Sequence, residues 1–297
     1  MYYTDETITY LNGQFVKAED AKTSLYDQSM HYGYAVFEGI RSYKTSSGTK
    51  IFKAHEHYDR LKYSAESMMI PFHYSASELI DISYELLSKN NFDDAYLRPL
   101  IFCPPNMGLQ KAKQSSIMIA AWKWDAYLGN NLLRVMTSSY QRPNPKAFNI
   151  KAKVSGHYVN SILACQEAKN HGYDEALLLD AKEFVAEGPG ANVFYETNGR
   201  LITPPAINIL PGITRATVIE ICKELNIDVE ERLFTVEELK GADAAFFCGT
   251  AAEVIGWESL DNIKFKKDWN DTVSRTIQEV YKCKVLEQEY KSVPERA

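Results

Sequence analysis

Apolar and polar positions along the chain fall into two blocks of predicted elements separated by a polar stretch. ITYL (8–11) and QFV (14–16) alternate with period two around Asn12-Gly13, a pair suited to a type I′ hairpin turn. SASE (75–78) has the spacing of a capping box and opens a helix through LIDISYELL. AYLRPLIFC and SSIMIAAWKW then read as buried strands, which closes a small N-terminal α/β domain over residues 1–124. DAYLGNN (125–131) is polar and turn-rich and reads as the linker. The larger C-terminal domain, 132–297, resumes with the strand LLRVMTSS. Helical periodicity over GHYVNSILACQEAKNHG stops at Gly172, a C-cap residue. DEALLLD, NVFYE and RLITP are strands, the last two joined by Asn198-Gly199. GITRATVIEICKELN is a second helix, TVEE opens a third, and DAAFFCGT is a buried strand ending in Gly249-Thr250. IKAKVSGHY (150–158) reads as a strand end running into a helix, with Lys151 and Lys153 on one strand parity. The pattern predicts an α+β protein of two α/β domains with a cleft between them.

Length agrees with two domains, since 297 residues exceed the roughly 100 to 200 of one core. A formal net charge of −6 with mixed signs lacks the basic stripe that phosphate-backbone binding needs, so nucleic acid is excluded as a partner. The start, MYYTDETITYLNGQF, has no basic end and no apolar run of a signal peptide. No stretch reaches the roughly 20 apolar residues of a membrane span. Cys103, Cys165, Cys222, Cys248 and Cys283 are odd in number, scattered and free of CxxC spacing, so the expectation is a cytoplasmic protein with reduced thiols, no disulfide and no metal.

The candidate chemistry is narrowed first by absences. There is neither a GxxxxGK[ST] loop nor a GxGxxG after a strand. His55 and His57 stand two apart, which on a helix points them to different faces, and they are read as surface histidines beside Glu56. Ser155 has no GxSxG around it. What remains suits an anion. PGIT (211–214) opens a helix, leaving the N–H groups of Ile213 and Thr214 free, CGTA (248–251) ends a strand in a tight turn, and Arg60 is a planar two-point donor. Singly these are a capping Thr, a turn Gly and a solvated Arg; only the combination carries weight.

YGYAVFEGIR, YLRPLIF, the segment from Lys153 to Tyr158, EGPGANVF, LPGITR and CGTAAEV occur in this order over nearly the whole chain. In this the sequence resembles the branched-chain amino acid aminotransferases of the class IV pyridoxal-phosphate family. The resemblance implies a fold type IV enzyme, a homodimer or larger assembly, with pyridoxal 5′-phosphate held between the two domains. Lys153 then looks like the Schiff-base lysine. Such a lysine must spend part of its time neutral, which a desolvated position favours, and once displaced it can shuttle a proton between the substrate Cα and the cofactor. Periodicity leaves Lys151 as its competitor; the motif spacing to Tyr158 decides for Lys153.

By the same resemblance Glu187 pairs with the pyridine nitrogen and keeps the ring an electron sink, where otherwise it is a loop acid. Arg60, Ile213, Thr214 and Thr250 hold the phosphate, and Tyr158 meets the phenolic oxygen, where spacing alone equally allows a buried helix aromatic. Phe37, Tyr32 and Trp124 surround the substrate side chain; without the resemblance they are core aromatics. Tyr96 with Thr250-Ala251 holds the α-carboxylate. Arg98 meets the distal carboxylate of glutamate, its alternative being a buried structural Arg. Met107-Gly108-Leu109 reaches into the neighbouring subunit's site. Gly188 and Gly190 let backbone pass close to a ligand, while Pro189, Ala191 and His157 depart from the commoner Ala, Glu and Asn of the family.

The reaction so implied moves the amino group of Leu, Ile or Val to 2-oxoglutarate, with amino acids and 2-oxo acids as the small-molecule partners. A D-amino acid aminotransferase and an aminodeoxychorismate lyase share the fold; VFEGIR with the segment 153–158 favours the branched-chain reading. A non-catalytic vitamin B6 carrier needs the anion site but not the acid at 187, so the presence of Glu187 argues against it.

Overall fold

In the computed structural model, which describes residues 2–124, 128–129 and 131–290, Asn12-Gly13 joins strands β1 (Ile8–Leu11) and β2 (Gln14–Lys17) with φ of 47° and 92°. Both angles are left-handed, as a type I′ turn requires. A short helix α1 (Gln28–Tyr32) ends at Gly33 and leads into β3 (Ala35–Phe37), followed by the hairpin β4 (Ile40–Thr45) and β5 (Gly48–Ile51). Helix α2 (Ala54–Ser67) precedes α3 (Ala76–Lys89), whose capping box is complete: Glu78 N donates to Ser75 Oγ, and Ser75 N donates back to the Glu78 carboxylate. The long strands β6 (Ala95–Phe102) and β7 (Ser116–Trp122) complete a sheet of order β2-β1-β7-β6-β4-β5, with β3 also on β6. Its covered face packs on α2 and α3 through Leu61, Leu79, Leu86, Leu97 and Ile119.

The stretch read as the linker, 125–131, lies largely outside the described residues. Beyond it come β8 (Leu133–Gln141), α4 (Tyr158–Asn170), β9 (Glu175–Leu179), β10 (Val185–Glu187), β11 (Asn192–Thr197), β12 (Arg200–Thr203), α5 (Ile213–Glu224), β13 (Val229–Glu231), α6 (Val236–Lys240), β14 (Ala244–Gly249), β15 (Glu253–Leu260), β16 (Ile263–Lys264) and α7 (Val273–Val285). The order β10-β9-β8-β15-β14-β11 closes on itself because β10 also pairs with β11, so six strands form a ring. Alternate residues of these strands enter two different cores. Val193, Ala245, Phe247 and Ile255 join one, while Phe194, Phe246 and Cys248 join another against α5 and α7. Both faces are therefore covered, which is why DAAFFCGT reads as an unbroken apolar run.

Residues 150–154 correct the sequence expectation. They are a turn, not a strand end, and touch β3 through one isolated bridge, Val36 to Val154. Ile150, Ala152 and Val154 are all buried. The alternation thus registered burial, while Ala152 N turns back onto the Asn149 carbonyl at 3.1 Å instead of joining a ladder. Gly156 N donates to Gly33 O at 3.0 Å, and a Cβ on Gly33 would stand 2.7 Å from Gly156 Cα, so both glycines are needed where the two backbones cross.

Candidate active site

A cavity of about 570 Å³ opens between the first sheet and the loops that follow β8, β10 and β14 and precede α5. At its centre Lys153 Nζ donates to Tyr158 Oη at 2.7 Å and lies 5.0 Å from the centroid of the Phe37 ring. One tight turn, Ser155–His157, separates the two residues and brings them to one side. The Lys153 backbone is held at both ends: its N–H donates to Ser64 Oγ at 3.0 Å and its carbonyl accepts from Phe37 N at 3.1 Å. Lys151 points out and is exposed. The shared strand parity of the two lysines was misleading, because no strand is there.

Glu187 ends β10 with only 4% of its surface exposed. Its Oε1 accepts from Leu210 N at 3.1 Å and its Oε2 from Asn192 Nδ2 at 3.0 Å. Arg142 Nε stands 2.9 Å from Oε1 as an ion pair, its N–H not aimed along the bond. Burial pushes the Glu187 carboxyl up, and the Arg142 guanidinium opposes the push. His157, beside Arg142 and edge-on to Phe148 at 4.9 Å, is lowered by burial to about 4 and is therefore a neutral ring.

The anion side is built on α5. Its N-cap, Gly212, offers no side chain, so the first backbone N–H groups, including those of Ile213 and Thr214, are left for a ligand. A Cβ on Gly212 would come within 1.9 Å of Asn192 Oδ1, so any side chain there would displace Asn192. Arg60 is tied to the same loop through Nη1, which donates to the Pro211 carbonyl at 3.0 Å. Its Nε and Nη2 grip Glu38 at 2.7 and 2.9 Å. Burial alone would push the Glu38 carboxyl up, but Arg60 and His57 together hold it well below the usual carboxylate range. His57 corrects a second expectation: only His55 is a surface histidine, whereas His57 is buried with Nδ1 2.7 Å from Glu38 Oε2, and burial lowers its pKa.

On the opposite side Arg98 is enclosed by rings, its Cζ lying 4.7 Å from the Phe37 centroid, 5.4 Å from Tyr96 and 5.8 Å from Trp122. Arg98 Nε is buried and has no hydrogen-bond partner among the described residues. Tyr96 meets Trp124 edge-to-face at 4.7 Å. Gly39 makes room for Tyr96, whose hydroxyl would be 1.8 Å from a Cβ there. Thr250 and Ala251 close the wall at the end of β14.

Phe37, Arg60, Tyr96, Arg98, Trp124, Lys153, Tyr158, Glu187, Ile213, Thr214, Thr250 and Ala251 thus all line one cavity. Tyr32, Met107 and Leu109 do not. Tyr32, expected around the substrate side chain, donates from its hydroxyl to the Met107 carbonyl at 3.0 Å at the end of α1, and the three residues are 46%, 53% and 84% exposed. Glu38, Arg142 and Asn192 were not singled out in the sequence, and His57 was read there only as a surface residue. Glu38 offered a signal, an acid inside the apolar run AVFEGI, and Arg142 in the turn QRPNP offered none.

Comparison with known proteins agrees with this geometry. The profile of the amino-transferase class IV family matches residues 35–260. The chain is 39% identical over 280 residues to a branched-chain-amino-acid aminotransferase of Escherichia coli (strain K12), covering 92% of this chain and 91% of that one. It resembles the crystal structure of the branched-chain aminotransferase of Thermoproteus uzoniensis with norvaline, at 37% identity and a TM-score of 0.92 over 97% of each chain. The branched-chain amino acid aminotransferase of Thermobaculum terrenum in its PLP-form, the holo-form, superimposes with a TM-score of 0.90 at 31% identity, over 96% of this chain and 95% of that one.

Proposed function

Because the chain belongs to the amino-transferase class IV family, we infer that it binds pyridoxal phosphate and moves the amino group of leucine, isoleucine or valine to 2-oxoglutarate, giving the branched-chain 2-oxo acid and glutamate. One observation carries the reading: a lysine amine bonded to a tyrosine hydroxyl shares a cavity with a buried glutamate and an uncapped helix N-terminus.

The lining residues fit this cofactor by their own chemistry. An ester dianion suits the free N–H groups of Ile213 and Thr214, with Thr250 and the uncommitted donors of Arg60 beside them. Arg60 has five N–H donors and commits three among the described residues, which leaves two. Glu187 suits a ring nitrogen, Tyr158 a phenolic oxygen, and Lys153 an aldehyde. When bound, pyridoxal phosphate supplies a ring that accepts the electron pair left as the substrate Cα–H bond breaks. Lys153 Nζ takes that proton and returns it, and Tyr158 Oη holds the amine in place between the two transfers. Glu187 keeps a negative charge against the ring nitrogen. Arg98 and the rings around it serve both substrates: Phe37, Tyr96 and Trp124 offer apolar surface to a leucine chain, and the Arg98 guanidinium, which lines the cavity, donates to the distal carboxylate of glutamate. Tyr96, Thr250 and Ala251 receive the α-carboxylate.

Separate sheets over 8–122 and 133–264 support a domain boundary at 125–131. A second copy of the chain is supported by exposed apolar side chains on and before α1 and on the loop that Tyr32 contacts, Leu25, Tyr26, Met30, Tyr32, Met107 and Leu109. In that arrangement Tyr32 and the loop 107–109 serve the neighbour's cavity. A cytoplasmic location rests on the free, scattered cysteines. Among the described residues no helix is long and apolar enough to cross a membrane.

The purified protein is expected to be yellow, to lose that colour when leucine is added and to regain it with 2-oxoglutarate. A protein that bleaches with no amino acid, or with D-leucine alone, overturns the assignment.

A further inference from the structure

Glu187 and Asn192 are direct partners across β10 and β11, and Arg142 follows β8, on the far side of β9. Arg142 is fixed by its own backbone N–H, which donates to the Leu179 carbonyl at 2.8 Å, and its side chain is 9% exposed. Asn192 Nδ2 divides itself between Glu187 Oε2 and the Leu210 carbonyl, both at 3.0 Å, while its Oδ1 packs on Gly212. An ionised carboxylate has about four acceptor sites. Leu210 N–H takes one site on Oε1, the Arg142 guanidinium stands against that oxygen as an ion pair, and Asn192 takes one site on Oε2. The remaining site on Oε2 is left for a ligand.

A carboxylate so deeply buried, with neutral donors alone, would take up a proton and become a donor itself. The charged groups near it are Arg142 and, more distantly, Lys153; His157 beside Arg142 is neutral. Lys153 changes its own state whenever the amine reacts, so it offers no constant field. Arg142 alone is permanent. We propose that Arg142 is a positioning residue for the reaction: its guanidinium holds Glu187 charged, with one oxygen presented to the cavity. The proposal rests on reading Glu187 as the acid that meets the cofactor's ring nitrogen.

The test uses the full chain with and without added pyridoxal phosphate. Infrared difference spectra report the carbonyl stretch of a protonated carboxyl, and single-turnover reaction with leucine reports the consequence. Arg142→Met is expected to show a protonated-carboxyl band that the wild type and the Arg142→Met/Glu187→Gln double variant lack. Its leucine reaction is expected to slow at least about tenfold. Arg142→Lys, which keeps a charge, is expected to show no band and to recover part of the rate. Should Arg142→Met fail to fold while the double variant folds, the uncompensated acid is the cause and the proposal stands. It is overturned if Arg142→Met shows no such band, or if the single and double variants both fail to fold, since the arginine is then structural. Glu187→Gln measured alone separates the two readings: an unchanged leucine rate removes the role of Glu187 and leaves the infrared result on Arg142 as it was.

Discussion

Glu38 and Arg60 meet through two parallel contacts, Nε to Oε1 at 2.7 Å and Nη2 to Oε2 at 2.9 Å, on a carboxylate with no exposed surface. The arginine read as a phosphate ligand is thus first a ligand of its own chain. Breaking one partner of a buried pair leaves the other charge uncompensated, at a cost of about 3 kcal/mol or more. Glu38→Gln is expected to lower stability by about that amount and to weaken pyridoxal phosphate binding at least about tenfold, measured by absorbance titration of the stripped protein. Unchanged affinity would return Glu38 to a purely structural role.

For Lys153→Ala the expected outcome is an intact fold that still binds the cofactor phosphate and has no measurable turnover. Lys151→Ala, an exposed position, is expected to be nearly silent. Borohydride reduction followed by peptide mapping checks the assignment directly; a pyridoxyl group on any other lysine removes it.

Arg98→Met separates the two substrates. Among the described residues the guanidinium forms no ion pair in its aromatic enclosure, so its loss should damage the glutamate half-reaction and spare the leucine one. Losing one side of a desolvated charge pair costs on the order of 2 to 5 kcal/mol, so the ratio of the two kcat/KM values should shift at least about tenfold. Equal losses in both half-reactions would mark Arg98 as a framework residue.

His157 gives the stability a pH dependence. Its pKa falls from an ordinary 6.5 to about 4 on folding, so between those values the unfolded chain binds a proton that the folded one refuses. Stability therefore drops as pH falls from about 6.5 toward 4, by up to about 3 kcal/mol. His157→Asn is expected to flatten that part of the curve, the contribution of His57 remaining in both proteins. Denaturant melts at several pH values check this, and parallel curves for the two proteins would refute it.

Local rules were legible where local chemistry decides. Asn12-Gly13 demanded a turn with positive φ, and Ser75 with Glu78 demanded a helix start, and both are present. Motif order brought twelve of the expected side chains to one cavity. The failures share one cause: burial without periodic structure. Ile150, Ala152 and Val154 alternate because each is buried while the chain turns, not because the chain is extended there. His57 looked like a solvated neighbour of Glu56, since its partner Glu38 lies 19 residues away and one strand pair across. Arg142 depends on a parallel strand pairing that no local pattern reports. Tyr32, Met107 and Leu109, expected around the site, do not line this cavity, and no local pattern in the sequence reports that.

Ala152 and Val154 are packed in the core of the first sheet, while Tyr158, five residues past Lys153, begins a helix on the second. The amine is riveted to both halves of the molecule, and Gly33 against Gly156 locks the rivet. A hinge that swung the halves apart would have to break both the Lys153–Tyr158 bond and the Gly33–Gly156 crossing, so the spacing of the walls around the amine is tied to those two contacts.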